Sequence, residues 1–321
     1  MVPIKSTVIT GATGLIGTAL CKTLEGQKIV RALRKPVIDQ RPDDQVVGNI
    51  DGDTDWSLAL RDARCVIHLA ARTHALDEAG ADSLAAYRQI NVEGTRNLAE
   101  QSVKAGVKRF VFLSSIKVNG ETSGQRAFTE EDRPAPEDDY GKTKRDAEDL
   151  LREIEKHSGM EVVILRPSLV YGPGVKGNFL SLLDLIKSGA PLPLASISNH
   201  RSLTHVSNLV DAIVSCMDAA AAAGQTFVVS DGGSLSTPEL CRKLAEGMNM
   251  PARLFPFPVV LLKLGSRMLG KSGAASKLTG TLIVDASKLR TALGWRPRIP
   301  LDQGLIETAR WYHQARIQRR I

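Results

Sequence analysis

Aromatic residues make up only 4% of this 321-residue sequence, although its lysine and arginine content gives a net charge of +7. Proteins that bind nucleic acid through its bases combine a basic stripe with stacking aromatic side chains. Here the basic residues are scattered, apart from Arg316, Arg319 and Arg320 near the C-terminus. We therefore predict no nucleic-acid partner and expect the positive charge to suit a small anionic substrate.

Cysteine is scarce as well. The four cysteines have neither the spacing of a metal site nor that of a disulfide framework. They are Cys21, Cys65, Cys216 and Cys241. We interpret them as buried thiols in a reducing compartment, and we predict no metal site.

The sequence also lacks an uninterrupted hydrophobic run long enough to cross a bilayer. Its longest apolar stretch, residues 254–269, is broken by two prolines, a lysine and an arginine. Met1 leads almost directly into an apolar strand, which leaves no room for a signal peptide. We therefore predict a cytoplasmic protein with no membrane span.

The first motif is a glycine turn. Residues 7–10 form a short β-rich run that leads into Gly11, Gly14 and Gly17 at the spacing G-x-x-G-x-x-G. Apolar residues then recur at helical spacing as far as Gly26. A strand, a glycine turn and a helix are the context of a dinucleotide-binding motif, in which N–H groups at the helix start bind a pyrophosphate. A glycine turn that binds no nucleotide is the alternative.

No acidic residue follows the second predicted strand, residues 28–33. An NAD enzyme commonly places Asp or Glu there to bind the ribose 2′-hydroxyl. Arg31 and Arg34 occur instead, and arginine makes charge-assisted hydrogen bonds to phosphate. We therefore predict NADP(H) as the preferred cofactor, with NAD(H) as the second option; solvated surface arginines are the alternative.

Further predicted strands alternate with helical segments. They cover residues 46–50, 65–71, 109–115 and 161–166. Continuously apolar strands are typical of a parallel sheet buried on both faces. This pattern predicts an α/β fold, a Rossmann-type doubly wound parallel sheet, followed by a smaller, mostly helical C-terminal substrate lobe. His68, alone at the end of one strand, is expected to be packed and to have no catalytic role.

Tyr140 and Lys144 lie four residues apart in a predicted helix, residues 137–157. Positions i and i+4 project from one face, so the ammonium is expected beside the phenol, where it would lower the pKa of Tyr140. Such a tyrosine exchanges a proton with a substrate oxygen near neutral pH. Ser115 ends a predicted strand, at the edge of the sheet where ligands bind. A tyrosine and a lysine on a solvated helix face are the ordinary alternative.

These motifs resemble those of the extended short-chain dehydrogenase/reductases, specifically the NAD(P)-dependent nucleotide-sugar epimerase/dehydratase group. The resemblance covers essentially the whole chain. Its landmarks, in order, are Gly11-x-x-Gly14-x-x-Gly17, Gly48-Asn-Ile, His68-Leu-Ala-Ala71, Asn91-Val-Glu-Gly94, Ser114-Ser115, Tyr140-x-x-x-Lys144, Arg166-Pro-Ser-Leu-Val-Tyr-Gly-Pro173 and Asp285-x-x-Lys288 with Leu293-Gly-Trp295.

The resemblance implies roles for individual residues. It makes Ser115 and Tyr140 catalytic, with Lys144 tuning Tyr140 and holding the nicotinamide ribose. The implied cofactor-binding residues are Gly11, Thr13, Gly14, Leu15, Ile16, Gly17, Arg31, Arg34, Asn49, Ile50, Leu69, Ala70, Ala71, Tyr140, Lys144 and Pro167. The implied substrate-binding residues are Ser115, Lys117, Asn178 and Arg201. Arg201 would grip the nucleotide diphosphate, since guanidinium suits bidentate phosphate contact; a surface-loop arginine is the alternative.

The resemblance also implies an organisation. Residues 1–166 and about 202–232 would form the NAD(P)-binding Rossmann domain, and residues 167–201 and 233–321 the nucleotide-sugar-binding lobe. A homodimer through the helical segments 82–105 and 137–157 is expected on the same basis.

Departures from the family pattern narrow the reaction. Dehydratases of this family place an Asp-Glu pair directly after the catalytic Ser/Thr, where this chain has Ile116 and Lys117, so we reject a 4,6-dehydratase. The missing acid after the second strand fits poorly with an epimerase that keeps NAD permanently bound. Segments 114–120 and 172–178 look most like those of bacterial O-antigen and lipopolysaccharide enzymes, including 4-ketoreductases that form UDP-N-acetylquinovosamine.

We therefore expect NAD(P)H-dependent reduction of the C4 ketone of a UDP-linked 6-deoxy-4-keto-N-acetylhexosamine. A UDP-sugar 4-epimerase, acting on UDP-GlcNAc or UDP-glucose, uses the same three catalytic residues and is the alternative. A catalytically silent dinucleotide-sensing protein is the alternative from another class, against which the intact Ser-Tyr-Lys set argues.

Overall fold

The computed structural model describes residues 5–73, 81–268, 276 and 278–318. Within these residues, seven parallel strands form one sheet in the order β3-β2-β1-β4-β5-β6-β9. Their bounds are β1 Ser6–Thr10, β2 Ile29–Leu33, β3 Gln45–Val46, β4 Ala63–His68, β5 Arg109–Leu113, β6 Glu161–Pro167 and β9 Thr226–Val229. The predicted Rossmann-type α/β fold is confirmed.

The helices that accompany the sheet are spread along the described chain. Their bounds are α1 Leu15–Thr23, α2 Ala81–Arg88, α3 Gly94–Lys104, α4 Asp139–His157, α5 Gly177–Lys187, α6 Val206–Asp218, α7 Thr237–Gly247, α8 Val259–Met268, α9 Ser287–Leu293 and α10 Leu301–Gln318. Successive strand residues face opposite sides of the sheet, so each side has its own apolar core. Ile9 and Val111 pack on one side, and Val8 and Phe110 on the other.

Strand order reverses between β1 and β4. The chain leaves β1 for β2 and β3 on one side, and it then crosses to β4 and continues outward. The loops after β1 and β4 therefore diverge and open a crevice at the carboxyl edge of the sheet, where ligands bind in such folds. Thr10 pairs in register with His68 at this point, which places the glycine turn beside residues 69–71.

Several local features differ from the predicted ones. The third strand is only Gln45–Val46, and the predicted helix 82–105 is interrupted by a π-helical turn, Gln89–Glu93. A second small sheet pairs β7 Leu169–Tyr171 with β8 Leu203–His205. Three-residue strands are too short to show a periodicity, which is why the sequence pattern did not predict them.

The C-terminal part of the chain has its own apolar core. It includes Tyr171, Phe179, Leu183, Leu244 and Leu305. The boundary between the two predicted lobes remains a prediction. None of the helices in the described ranges is both long and apolar enough to cross a bilayer.

Candidate active site

The glycine turn after β1 is packed directly against the segment after β4. Gly11 has φ +68°, and a Cβ on it would lie 2.8 Å from the backbone nitrogen of Ala70. The Gly14 N–H donates to the Gly11 carbonyl at 3.0 Å, and a Cβ on Gly17 would overlap that same carbonyl. Side chains are thus excluded at Gly11 and Gly17, and helix α1 begins beside bare backbone that suits a diphosphate.

His68, at the end of β4, is fully buried between two threonines. Its Nδ1 hydrogen-bonds Thr10 Oγ1 at 2.7 Å, and its Nε2 hydrogen-bonds Thr95 Oγ1 at 3.0 Å. Burial, assisted by the nearby charge of Lys144, lowers the pKa of His68 to about 3. The ring is therefore neutral and joins β4 to β1 and α3, consistent with the packing role predicted from the sequence.

Arg31 has a different role from the predicted one. Its side chain is buried and donates from Nε and Nη2 to the Asp44 carboxylate at 2.9 and 2.6 Å, and from Nη1 to Asp39 at 2.9 Å. All three guanidinium nitrogens thus hold the loop after β2 onto the sheet. The prediction that Arg31 contacts a 2′-phosphate is therefore corrected, because its donors are already used.

Arg34 and Asn49, two of the predicted cofactor-binding residues, contact each other in the structure. The exposed Arg34 donates from Nε to Asn49 Oδ1 at 3.0 Å. The neighbouring Ile50 lies under the start of α3, where a Cβ on Gly94 would be 3.0 Å from its Cγ2. These residues stay predictions as cofactor contacts, and Arg34 is the arginine of the predicted pair that remains at the surface.

Tyr140 and Ser115 meet where α4 begins. Asp138 caps the helix by accepting from the Gly141 N–H at 2.7 Å. The Tyr140 side chain, in the first turn, lies close to that of Ser115. A Cβ on Gly141 would lie 2.9 Å from the Lys117 carbonyl, so a missing side chain lets α4 approach the segment that carries Ser115. The sequence indicated no such role for Gly141.

The electrostatic environment keeps the Tyr140 phenol protonated. Burial raises the pKa of Tyr140, and the charges of Asp138 and Tyr87 act in the same direction, while the nearby Ser115 hydroxyl opposes them. The expected lowering of this pKa by Lys144 is therefore corrected: burial dominates. In this structure the phenol is a proton donor.

Lys144 points into the protein beside the sheet. Its Nζ donates to the Leu113 carbonyl at 2.7 Å and lies 4.2 Å from the centre of the Phe112 ring. Burial lowers the pKa of Lys144 to about 7, although the Glu148 carboxylate opposes this shift. Its charge therefore changes near neutral pH, which is unusual for lysine.

A buried ion pair lies one turn beyond Lys144. Glu148 accepts from Arg166 Nε at 3.0 Å and from Nη2 at 2.5 Å, and it also accepts from Ser114 Oγ at 2.5 Å. Arg166 Nη1 donates to Asn119 Oδ1 at 3.0 Å. The network joins α4 to the ends of β5 and β6, so it orients the strand end next to Ser115. The sequence flagged Arg166 as a landmark but gave Glu148 no role.

Asn91 ties three segments together from the π-helical turn. Its Oδ1 accepts from the Arg72 N–H at 2.8 Å, and its Nδ2 donates to the Arg72 carbonyl at 3.0 Å and to Thr143 Oγ1 at 3.1 Å. Thr143 is the neighbour of Lys144 in α4. Asn91 therefore positions α4 against the segment after β4, a role that its place among the family landmarks did not reveal.

Two predicted substrate residues are brought towards one carboxylate. Lys117 Nζ pairs with Glu121 at 2.8 Å and also with Asp138. Arg201 donates from Nη1 to the Gly280 carbonyl at 3.2 Å. Burial lowers the pKa of Arg201, and the charge of Glu121 opposes this lowering. Lys117 thus pairs with Glu121 near the start of α4, and the same carboxylate acts electrostatically on Arg201.

The remaining predicted residues lie along the carboxyl edge of the sheet. Asn178 is exposed in the first turn of α5. The loop before it covers Leu15, since a Cβ on Gly174 would lie 3.2 Å from Leu15 Cδ1. Of the other members, Thr13, Ile16, Leu69, Ala70 and Ala71 come after strands β1 and β4, and Pro167 is the last residue of β6.

Comparisons with known proteins agree with this arrangement. Residues 7–230 match the model of the NAD dependent epimerase/dehydratase family. A UDP-glucose 4-epimerase of Vibrio cholerae is 47% identical over 318 residues, covering 97% of this chain and 96% of the relative. An N-acetyl-α-D-glucosaminyl-diphospho-ditrans,octacis-undecaprenol 4-epimerase of Escherichia coli O157:H7 is 28% identical, over 95% of this chain and 94% of the relative.

Solved structures share the fold over its full length. MoeE5 in complex with UDP-glucose and NAD superposes with a TM-score of 0.79 at 24% identity, covering 97% of this chain and 99% of that one. A UDP-glucose 4-epimerase of Thermotoga maritima with UDP-glucose gives 0.77 at 21% identity, with the same coverage. Because the family model matches more than half of the chain, the predicted resemblance is confirmed. This chain belongs to the NAD-dependent epimerase/dehydratase family, within the extended short-chain dehydrogenase/reductases.

Proposed function

We propose that this protein is an NAD-dependent 4-epimerase of UDP-linked hexoses. The observation that carries this proposal is the 47% identity, over nearly the whole length of both chains, to a UDP-glucose 4-epimerase. The 4-ketoreductase activity expected from the sequence is less well supported, since both relatives named above are 4-epimerases. The alternative given in the sequence analysis is thus preferred.

The glycine turn and Lys144 are the residues that would hold the cofactor. The fit is supported by the turn itself, because the missing side chains of Gly11 and Gly17 let it pack tightly against the backbone of Ala70 and of Gly11, so that bare backbone lies at the start of α1. When bound, NAD accepts a hydride from the sugar C4 and later returns it. The alternative preference for NADP rests on Arg34 alone, because the donors of Arg31 are occupied by carboxylates.

Tyr140 would transfer the proton in each half of the reaction. Its phenol oxygen takes the proton of the sugar C4 hydroxyl during oxidation and returns it to the C4 oxygen during reduction. Ser115, close to Tyr140, would donate to the same sugar oxygen and keep it in line with the phenol. The first half requires the phenolate, whereas burial raises the pKa of Tyr140; the positive charges of Lys144 and of the bound oxidised nicotinamide would act against that shift.

Arg201 and Lys117 are proposed to bind the diphosphate. Arg201 would make bidentate contacts to it, whereas Lys117, which pairs with Glu121 and Asp138 in this structure, would have to exchange one of these carboxylates for the diphosphate. Asn178, at the start of α5, would hydrogen-bond the sugar or the diphosphate. Hydride can return to the opposite face of C4 only if the hexose ring of the 4-keto sugar turns over. A site that anchors the diphosphate and leaves the hexose ring free to rotate would therefore suit epimerisation.

A sugar diphosphate linked to a lipid is the second candidate substrate. One relative named above acts on such a molecule, and one observation on this chain favours it: helix α8 carries strongly exposed apolar side chains, Val260, Leu261 and Leu264. The two candidates share the diphosphate, the hexose and the reaction at C4.

The test is product formation by purified protein. With UDP-glucose and NAD, we expect UDP-galactose to form until equilibrium, with no net change in reduced nicotinamide absorbance. The Tyr140→Phe variant is the matched negative control. Stoichiometric oxidation of NADPH with a UDP-4-keto-6-deoxy-N-acetylhexosamine, together with no epimerisation of UDP-glucose or UDP-GlcNAc, would restore the ketoreductase reading.

A further inference from the structure

Helix α8 presents large apolar side chains on two sides. Val259 and Leu262 pack on the core of the C-terminal lobe. Val260, Leu261 and Leu264 point outward, with exposed fractions of 77%, 52% and 53%. A surface helix of a globular protein normally turns its polar residues to solvent, so this outward face needs an explanation.

The outward residues form one patch. With 3.6 residues per turn, positions 260, 261 and 264 fall within an arc of about 100°. Phe255, which precedes the helix, is 40% exposed and extends the apolar surface. We call these four residues the α8 patch. Single exposed apolar residues are normal, whereas contiguous ones mark a surface that binds something.

The charge of the surrounding sequence indicates the partner. Residues 247–284 contain no aspartate or glutamate, but they contain Arg253, Lys263, Arg267, Lys271 and Lys277. This short segment therefore contributes +5 of the chain's net charge of +7. Lys263 is exposed within α8 itself. Apolar side chains surrounded by basic residues are typical of helices that lie on anionic membrane surfaces.

A second copy of the chain is a poorer partner for the patch. Four half-exposed side chains offer on the order of 300–400 Å², whereas a stable interface buries about 800 Å² on each partner. A symmetric contact would also bring two segments of charge +5 together. An anionic bilayer has neither problem, because its acyl boundary accepts the apolar side chains and its headgroups bind the basic ones.

We propose that the α8 patch docks this protein onto the surface of an anionic phospholipid bilayer, with α8 lying in the interface rather than crossing it. Val259 and Leu262 share an apolar core with Phe179 of α5, next to the proposed substrate contact Asn178. Docking would thus bring the substrate lobe to the membrane. The proposal concerns binding alone, and it stands whether or not the proposed reaction is correct.

The test is binding of the full-length protein to vesicles, measured by flotation. Vesicles of phosphatidylcholine with about 30% phosphatidylglycerol should bind the protein, and vesicles of pure phosphatidylcholine should bind it much more weakly. The double variant Leu261→Gln/Leu264→Gln should lose at least about tenfold in partitioning. Lys263→Gln should lose about fivefold on the anionic vesicles only.

Matched control variants distinguish membrane binding through the α8 patch from nonspecific adsorption. Leu58 is 60% exposed in the loop before β4, and Lys104 is exposed at the end of α3; Leu58→Gln and Lys104→Gln should bind like wild type. All variants should keep the wild-type unfolding midpoint and wild-type turnover of UDP-glucose, so failure of docking is distinguishable from failure of the proposed reaction.

Three results would overturn the proposal. They are no binding of wild type to anionic vesicles, binding that the α8 substitutions leave unchanged, and equal losses in the control variants. A wild-type oligomer that Leu261→Gln/Leu264→Gln converts to monomer in light scattering would show that a second copy covers the patch instead.

Discussion

The Glu148 carboxylate and the Arg166 guanidinium form a bidentate ion pair inside the protein, with side chains 2% and 4% exposed. Ser114 Oγ donates to the same carboxylate at 2.5 Å. The pair therefore holds the strand end that precedes Ser115 against the helix that carries Tyr140. It links the stability of the fold to the geometry of the site.

Removing one partner of this pair should be strongly destabilising. Glu148→Gln leaves the Arg166 charge buried without a counterion, and we expect a loss of about 3–5 kcal/mol in the free energy of unfolding, measured by urea denaturation. Glu153→Gln is the control, since Glu153 makes an exposed pair with His157 and should change stability by less than about 1 kcal/mol.

The double variant Glu148→Leu/Arg166→Met distinguishes stability from positioning. It removes both charges, so most of the stability should return, while turnover should stay low because Ser114 has lost its anchor. Recovery of full turnover together with stability would contradict the positioning role of the pair.

Much of the fold follows from local sequence patterns. Continuously apolar segments separated by helical ones specify a parallel sheet, and the spacing of Gly11, Gly14 and Gly17 specifies the turn. Contacts between distant segments do not follow from such patterns. Arg31 is paired by carboxylates 8 and 13 residues away along a loop, so its sequence neighbourhood suggested a free cation.

The candidate site shows the same limit. Tyr140, Lys144 and Ser115 were predicted from spacing and resemblance, and the structure brings Tyr140 and Ser115 together. The close approach at Gly141 depends on packing between two loops, which a single glycine in a helix does not reveal. The pKa values of Tyr140 and Lys144 depend on burial, and helical spacing alone predicted the wrong sign for Tyr140.

Tyr140→Phe should remove the transferred proton while preserving the ring. We expect turnover to fall by about 10²–10⁴-fold with an unchanged unfolding midpoint, as measured by epimerisation of UDP-glucose and by thermal denaturation. Tyr87→Phe is the matched control for removal of a nearby hydroxyl and should retain most activity. Near-wild-type turnover in Tyr140→Phe would exclude this residue as the proton carrier.

Lys144→Met should inactivate the protein and yet stabilise it near neutral pH. Burial lowers the pKa of Lys144 to about 7 in the folded state, against about 10.4 in an unfolded chain. The unfolded state therefore binds more protons between these values, and the wild type gains stability as pH rises from about 7 to 10. Below about pH 7 the full penalty of burying the charge is present.

Thermal unfolding of both proteins across this range measures the effect. The variant should have the higher midpoint at pH 7, and the difference should shrink towards pH 10. A difference that does not vary with pH would mean that the Lys144 charge is not what limits stability here.

Gly141→Ala tests the approach of α4 to the segment that carries Ser115. Its Cβ would lie 2.9 Å from the Lys117 carbonyl, so the start of the helix must move away. We expect a loss of turnover of at least about tenfold, because a misplacement of 1 Å at a site of this kind is costly. Gly159→Ala is the control, since a Cβ there meets nothing within 4 Å.

Cofactor choice is the last prediction. Near the end of β2 the charge of Arg31 is cancelled by Asp39 and Asp44, so of the two predicted arginines only Arg34 remains to attract a 2′-phosphate. Single exposed charge pairs contribute only about 0–1 kcal/mol, which is at most about fivefold in affinity, and we therefore expect any preference for NADPH over NADH to be less than about tenfold. Titration of each nucleotide into wild type and Arg34→Ala, with Lys35→Ala as the matched control, measures this. If wild type prefers NADPH by tenfold or more and only Arg34→Ala loses this preference, the NADP(H) preference expected from the sequence would be supported instead.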